Sequence, residues 1–218
     1  GAVSEYGYGI AVDSSGNVYV GGSTNSVVSY DNDIFLAKYN SSGVIQWQRY
    51  LGGSGTDQGH GIAVDSSGNV YVVGQIISSG GDFLIAKYNT SGVIQWQRSL
   101  GGSGDHRGFD IAVDSSGNVY VTGYYNGSSN IVIAKYNNSG VIQWQKITNG
   151  GYEDRGHGIE VDSSGNIYIV GQTRNDPGYH DVIVIKLNSS GSLTWNRKVT
   201  TSGAEQDIGY ALAIDDSG

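Results

Sequence analysis

Short apolar segments alternate with polar turns along the whole chain. In residues 61–100 the segments read GIAVD, NVYVVG, DFLIAKYN and VIQWQRSL. Segments of this length, rich in Val, Ile and Tyr and without helical periodicity, predict β-strands. The chain is therefore expected to be all-β.

Two kinds of tight turn separate these segments. One reads DSSG, and the other reads NSSG, NTSG or NNSG, with Asp or Asn first and Gly fourth. This pattern is typical of a type I turn followed by a glycine in the left-handed conformation. Each turn is expected to close a hairpin, which gives four antiparallel strands per unit.

The four-strand unit occurs four times. AVDSSGNVYV opens at Ala11, Ala63 and Ala112, and its variant EVDSSGNIYI opens at Glu160. Four strands in a repeat of about fifty residues predict a blade of a β-propeller, whereas an open β-solenoid usually has shorter repeats. Residue size favours GIAVD as the innermost strand, FLIAKY as an interior strand and VIQWQR as the outer edge.

We expect one propeller over residues 1–218, with four complete blades and one extra inner strand. The expected bounds are about 9–51, 61–100, 110–148 and 158–199 for the blades and 210–215 for the extra strand. In a closed four-bladed ring, the extra strand would need the space that residues 9–13 occupy. It therefore predicts a fifth blade, completed by further repeats of a longer chain or by other copies of this chain in a homo-oligomer.

The repeats resemble a known family. GIAVDSSGNVYVVG, then FLIAKYN with SG and Trp after it, and LGGSG are similar to SBBP β-propeller repeats, and more loosely to NHL repeats. The resemblance covers nearly the whole chain. It implies a propeller of a secreted or cell-surface protein that serves as a binding or scaffold module without assigned chemistry. The insertion often found between the second and third strands of SBBP units is missing here.

Charge and composition exclude several classes of partner. The net charge is −8, and no basic patch offsets it, so neither nucleic acid nor an anionic membrane is expected as a partner. No apolar run is long enough to cross a membrane, so no membrane insertion is expected. Cysteine is absent, which removes disulfides and thiolate metal sites.

Candidate binding residues come from the connections that vary between repeats. In a propeller these loops share one face, and loops on a rigid scaffold often carry recognition, although neutral drift gives the same pattern. An acidic residue recurs two positions before the glycine that precedes each inner strand, and histidine follows that glycine in two units. The candidates are Asp57, His60, Asp105, His106, Asp154, His157, Glu160 and Asp207.

These candidates have two interpretations. Carboxylates around an axis can hold Ca²⁺ or bind sugar hydroxyls. Alternatively, each Asp caps its loop, and each His packs like the aromatic residue that it replaces. Glu160 stands where other repeats have Ala and must reach water or a partner. DSSGN lacks the ligands of a calcium loop, and the sequence predicts no catalytic residue, metal ligand or cofactor.

Repeated polar positions on the turns and outer strands have simpler explanations. Five acceptor sequons for N-glycosylation occur, but Asn and Ser also suit these turns. The sequons lie at Asn40, Asn89, Asn126, Asn137 and Asn188. The lysines of the third strand and the Arg or Lys residues of the fourth are expected to be solvated or salt-bridged blade edges. The four tryptophans are expected to pack between blades.

The sequence thus predicts a non-enzymatic, extracellular or cell-surface propeller that acts as a binding or structural, self-assembling module. A lectin-like propeller that binds a glycan or a surface protein is the first alternative. A glycan-active hydrolase or lyase is the second, and it would require paired carboxylates or a histidine-centred site near Glu160, His60 and His157.

Overall fold

The computed structural model describes residues 4–25, 32–77, 81–102, 104–125, 130–148, 153–174, 178–199 and 206–215. These ranges contain sixteen strands in four antiparallel four-stranded sheets and no helix. The described residues therefore include no helix that could cross a membrane. The prediction of an all-β propeller with four blades is confirmed.

The chain divides into two compact units, residues 1–108 and 109–218. In the first unit, blade one contains β1 (Glu5–Val12), β2 (Val18–Asn25), β3 (Asn32–Tyr39) and β4 (Ile45–Leu51), and blade two contains β5 (Gln58–Val64), β6 (Val70–Ile76), β7 (Asp82–Tyr88) and β8 (Ile94–Leu100). In the second, blade three contains β9 (Arg107–Val113), β10 (Val119–Tyr125), β11 (Asn130–Tyr136) and β12 (Ile142–Thr148), and blade four contains β13 (Arg155–Val161), β14 (Ile167–Thr173), β15 (Asp181–Leu187) and β16 (Leu193–Val199). The first two residues of β9 precede the division.

Strand order within each blade follows chain order. The innermost position of GIAVD and the outermost position of VIQWQR are as predicted. The inner strands begin three or four residues earlier than expected, at Glu5 in blade one and at Arg155 in blade four. The register shifts between Gly7 and Gly9 and between Gly156 and Gly158, so a bulge allows pairing to continue past these glycines.

Each DSSG turn is held by one aspartate. In blade two, Asp65 Oδ1 accepts hydrogen bonds from the backbone N–H groups of Ser67 and Asn69, both at 2.9 Å. Its Oδ2 accepts from Asn69 Nδ2 at 2.8 Å and from the Tyr71 hydroxyl at 2.9 Å. Gly68 has a φ of 76°, which favours glycine. The predicted turn is confirmed, and it satisfies its own polar groups.

Within each unit the two blades pack through unlike faces, which we name A and B. Face B of blade one includes Tyr19, Ile34 and Leu36, and it packs in one buried cluster with face A of blade two, which includes Val70 and Val72. All five side chains are fully buried. The second unit has the equivalent cluster, in which face B of blade three contacts face A of blade four. The core thus lies between blades, as it does in propellers.

Residues 206–215 lie beside face B of blade four. The backbone N–H of Gly209 approaches the Gly171 carbonyl at 3.4 Å, and that of Asp207 donates to the His180 carbonyl at 2.9 Å. The matching bond in blade two runs from the Asp57 N–H to the Asn32 carbonyl. The segment occupies the place of a next inner strand, although residues 206–215 form no strand ladder.

Candidate functional site

Two of the predicted acidic residues, Asp57 and Asp154, act as loop caps. Asp57 is fully buried. Its Oδ2 accepts a hydrogen bond from the Gly53 N–H at 2.7 Å, and its Oδ1 accepts one from the Ile77 N–H at 2.9 Å. Asp154 is also buried and accepts from the Arg174 N–H at 3.2 Å. These contacts fit the capping interpretation, because both carboxylates are engaged with backbone rather than with solvent.

An ionic cluster surrounds one residue that the repeat pattern did not single out, Glu153. Its Oε1 accepts from Arg155 at 2.7 Å, and its Oε2 lies 3.6 Å from Arg174 and 3.3 Å from His180. His180 is buried, so the loop before β15 is held against the loop before β13. The sequence did contain one indication of Glu153, namely its position. It directly precedes Asp154, just as the predicted residue Asp105 directly precedes His106.

Asp105 and His106 have separate surroundings. Gln75 Nε2 donates to Asp105 Oδ1 at 2.5 Å, and the Arg107 guanidinium lies 3.7 Å from the same oxygen. His106 is fully buried, and its N–H donates to the Gly81 carbonyl at 2.8 Å. Burial lowers the pKa of His106, and the carboxylates of Asp82 and Asp105 oppose that change.

His60 and His157 take the places of aromatic residues. The His60 ring lies 5.5 Å from the Tyr8 ring, and burial, reinforced by the charge of Arg107, lowers its pKa to about 4. His157 lies between Phe109 at 4.9 Å and Tyr210 at 5.4 Å. Burial also lowers the pKa of His157. Both rings are neutral at pH 7 and pack against aromatic neighbours, which fits the structural interpretation.

The second unit brings together two carboxyl groups on neighbouring inner strands. Asp110 Oδ2 accepts a hydrogen bond from the Ile159 N–H at 2.9 Å. The pKa of Asp110 is raised to about 6, mainly by burial and also by the charge of Glu160, against the opposing effect of the backbone hydrogen bonds. Burial also raises the pKa of Glu160. Asp110 was missed, although it stands where three other repeats have Gly9, Gly61 and Gly158.

The eight predicted residues are therefore distributed over several small groups. Among the described residues, no three His, Asp or Glu side chains are placed to hold a metal ion. Asp207 contributes its backbone N–H to the bond with His180. Among the described residues, Glu160 has the carboxyl group of Asp110 as an electrostatic neighbour.

The third-strand lysines were expected to be solvated or salt-bridged blade edges, and the structure adds a contact with a tyrosine ring that this expectation did not include. Lys38 Nζ lies 5.0 Å from the centre of the Tyr19 ring. Lys87, 7% exposed, lies 5.2 Å from the Tyr71 ring. The same pairs form between Lys135 and Tyr120 and between Lys186 and Tyr168. The physical reason is that strand pairing puts each lysine opposite the tyrosine whose hydroxyl holds the DSSG turn, which gives a cation–π contact.

The tryptophan prediction is confirmed in the first unit. Trp47 Nε1 donates to the Thr90 carbonyl at 3.1 Å, so an outer strand of blade one reaches the turn of blade two. Arg49 supports this contact by donating to the Gly92 and Ser91 carbonyls at 2.6 and 3.0 Å.

The Asn turns account for four of the five sequons by themselves. Asn40 Oδ1 accepts hydrogen bonds from the Ser42 and Val44 N–H groups at 3.0 and 2.9 Å. Asn89, Asn137 and Asn188 make the same bonds. Asn126 lies outside the described residues. Because Asn in these positions already serves the turn, the sequons carry no independent argument for glycosylation.

Face A of blade one departs from the repeat pattern in its exposure. It includes Ile10 and Val12, which are 70% and 58% exposed, and their pairing partners Val20 and Val18. In blade two the residue equivalent to Ile10 is Ile62, which is 8% exposed beneath blade one. The first blade thus presents to solvent the apolar surface that the second blade buries.

Four four-stranded antiparallel blades that repeat along the chain define a β-propeller repeat protein. The chain belongs to the SBBP family of β-propeller repeats. The family profile matches residues 3–27, 46–82, 95–130 and 143–179, which is more than half of the chain. No curated protein sequence matches the chain.

Solved structures agree on the fold. The β-propeller domain of the Trilobed protease from Pyrococcus furiosus, described as having an open velcro topology, is similar with a TM-score of 0.53 at 5% identity, over 90% of this chain and 57% of that one. A gluconolactonase from Xanthomonas campestris is similar with a TM-score of 0.53 at 13% identity, over 94% of this chain and 66% of that one. The chain thus spans less than two thirds of either structure.

Proposed function

We propose that the chain is a non-enzymatic structural module of the extracellular space or cell surface that associates with blades of its own kind. The observation that carries the proposal is the exposed face A of blade one. In the assembly, this face is covered by face B of blade four of a second copy of the chain, which gives a head-to-tail contact.

The two interfaces inside the units support this choice of occupant. Each is built from face B of one blade and face A of the next, with Tyr, Ile and Leu facing Val and Ile. Ile10 and Val12 of blade one correspond to Ile62 and Val64, which pack in the first of these clusters. A face A therefore fits a face B of the same repeat type within the chain itself. Such a contact between unlike faces is heterologous and extends an assembly.

Face B of blade four offers the complementary surface. Residues 206–215 lie on it through few backbone bonds, one of them 3.4 Å long. Since this segment has no sheet of its own behind it, a complete blade buries more apolar surface at the same place, as face A of blade two does against blade one. Docking of a second copy would displace the segment.

The state of the loop residues supports a structural rather than a catalytic role. Asp57 and Asp154 are engaged in capping, and His60 and His157 are neutral and packed. The location outside the cell rests on the resemblance of the repeats to those of secreted and cell-surface proteins. Protease treatment of intact cells tests it, because an external chain is digested while cytoplasmic markers survive.

Sedimentation velocity with light scattering tests the association. We expect dimers and larger species to grow with protein concentration in the micromolar range. The double variant Ile10→Asp, Val18→Asp should remain monomeric, because two carboxylates cannot be buried in an apolar interface. The control Val93→Asp changes an apolar residue that is also exposed, at 54%, but lies on a turn of blade two, and it should associate like the wild type. A wild-type chain that stays monomeric throughout would exclude the proposal.

A glycan-active enzyme is the second candidate, and the pairing of Asp110 with Glu160 favours it. Two carboxyl groups with raised pKa values on adjacent strands are a feature of acid–base sites. Assay of the wild type against a panel of polysaccharides, beside Asp110→Asn and Glu160→Gln, tests this. Activity that both variants abolish would establish the enzyme and displace the structural proposal.

A further inference from the structure

The second unit contains a cavity of about 430 Å³ between blades three and four. Its floor is formed by Ile131, Ile133, Ile185 and Leu187, all at most 4% exposed. Small-molecule sites in proteins have this size and this mainly apolar lining. The cavity is independent of face A of blade one and of the Asp110–Glu160 pair.

Polar groups are confined to the ends and rim of the cavity. Lys146 and Asn196 lie at the rim and are exposed, beside Ser192 and Leu193. Asp154 lies at the other end, because β13 begins next to it whereas Leu193 pairs with Leu187 at the far end of β15. Asp154 is already engaged with the Arg174 N–H. Lys146 forms no ion pair among the residues that the structure describes.

The equivalent space in the first unit is filled by the chain itself. Arg49 stands at the position of Lys146 and crosses to the Gly92 and Ser91 carbonyls. Tyr88 stands at the position of Leu187 and is 4% exposed. Burial raises the pKa of Tyr88, and the charge of Arg49 opposes the rise, so the two side chains lie close together. A shorter cation and a smaller apolar residue leave the space open in the second unit.

We propose that this cavity binds a small apolar molecule that carries one carboxylate group. The apolar tail lies on the isoleucine and leucine floor, where its burial is favourable. The carboxylate lies at the rim against the Lys146 ammonium and the Asn196 side-chain amide, away from Asp154. The choice of an anionic ligand rests on Lys146, since this cation faces the opening.

Titration with decanoate, followed by calorimetry and tryptophan fluorescence below its micelle concentration, tests the proposal. We expect saturable binding of one decanoate per chain. Decanol should bind about two- to fivefold more weakly, which is the range for one exposed charge pair. Lys146→Gln should remove this preference while retaining binding of decanol.

Variants that copy residues of the first unit into the second provide the sharpest comparison. Lys146→Arg with Leu187→Tyr should weaken decanoate binding at least tenfold, because the added atoms fill the cavity as Arg49 and Tyr88 do. These residue types already occur at the equivalent positions of the same chain, so the fold should tolerate them, and circular dichroism verifies this. The reciprocal variant Arg49→Lys with Tyr88→Leu should raise the stoichiometry from one to two.

Two outcomes would overturn the proposal. One is the absence of saturable binding to the wild type, and the other is equal binding by the folded Lys146→Arg, Leu187→Tyr variant. Ile10→Asp with Val18→Asp should bind decanoate like the wild type. Loss of binding in that variant alone would place the ligand on face A of blade one and exclude the cavity.

Discussion

The Asp110 carboxylate accepts a hydrogen bond from the Ile159 N–H at 2.9 Å, so a side chain on β9 is bonded to the backbone of β13. This bond joins the inner strands of blades three and four. Glycine stands at the equivalent position of the first, second and fourth repeats, so their inner strands have no side chain that could make the bond.

Asp110→Asn should stabilise the protein at pH 8. The pKa of Asp110 is raised to about 6, so the protonated form favours folding below pH 4 and this contribution is lost as the pH rises through 6. Asparagine keeps an acceptor for the Ile159 N–H without the buried charge. We expect a gain of about 1–2 kcal/mol at pH 8 in urea unfolding. An unchanged difference between variant and wild type from pH 4 to pH 8 would contradict the shifted pKa.

His60→Phe should abolish a loss of stability in mild acid. The folded-state pKa of His60 is lowered to about 4, so its contribution is complete above pH 6.5 and declines as the pH falls towards 4. Phenylalanine packs against Tyr8 without binding a proton. The wild type should lose about 2 kcal/mol more than the variant between pH 7 and pH 4.5. Melting curves of both proteins over this range measure the difference, and parallel curves would refute the assignment.

Asp65→Asn should destabilise the second blade. Burial alone raises the pKa of Asp65, but the hydrogen bonds from Asn69, Tyr71 and Ser67 outweigh it and lower the pKa. In the variant, the side-chain NH2 group would stand in the place of Oδ2. The two donors that now bond to Oδ2 would then face a donor instead of an acceptor. We expect a cost of about 1–3 kcal/mol in urea unfolding at pH 7.

Asn89→Asp is the matched control in the other turn type. The Asn89 side chain accepts only backbone N–H groups, from Ser91 and Val93, and a carboxylate accepts both. Its free energy of unfolding should stay within about 0.5 kcal/mol of the wild type. An equal loss in the free energy of unfolding for Asp65→Asn and Asn89→Asp would contradict this prediction. It would show that the side-chain donors Asn69 and Tyr71 do not determine the residue at position 65.

Lys87→Met should reveal the strength of the cation–π contact. Lys87 is nearly buried over Tyr71, and burial lowers its pKa while the charge of Asp65 opposes that change. Methionine retains the apolar stem, so the variant measures the charge alone. We expect a loss of about 1 kcal/mol at pH 7. A gain in stability would indicate that desolvation of the ammonium exceeds its attraction to the ring and to Asp65.

Local rules in the sequence were sufficient for the turns and for the order of strands within a blade. Asp65 and Gly68 specify their turn within four residues, and the alternation of Gln with Trp96 identifies an outer strand. The start of each inner strand was placed late, because the bulges at Gly7 and Gly156 depend on pairing with a second strand.

The candidate site required contacts that single positions do not encode. Asp57 was identified as acidic and recurrent, but its full burial follows from a loop that closes over it. The placement of Lys87 over Tyr71 depends on strand register, which the hydrophobic pattern does not fix to one residue. Asp110 could have been identified from the sequence, because comparison of the repeats shows that it replaces glycine. In the same way, Glu160 replaces alanine on the next inner strand.

The self-contained DSSG turn has an evolutionary consequence. All four hydrogen bonds that Asp65 accepts come from residues that follow it in the chain, and the last of these residues is Tyr71. A duplicated gene segment therefore brings its own hairpin closure with it, and only the A and B faces must match the neighbours. Selection can lengthen or shorten such an array by whole units without redesigning any one of them.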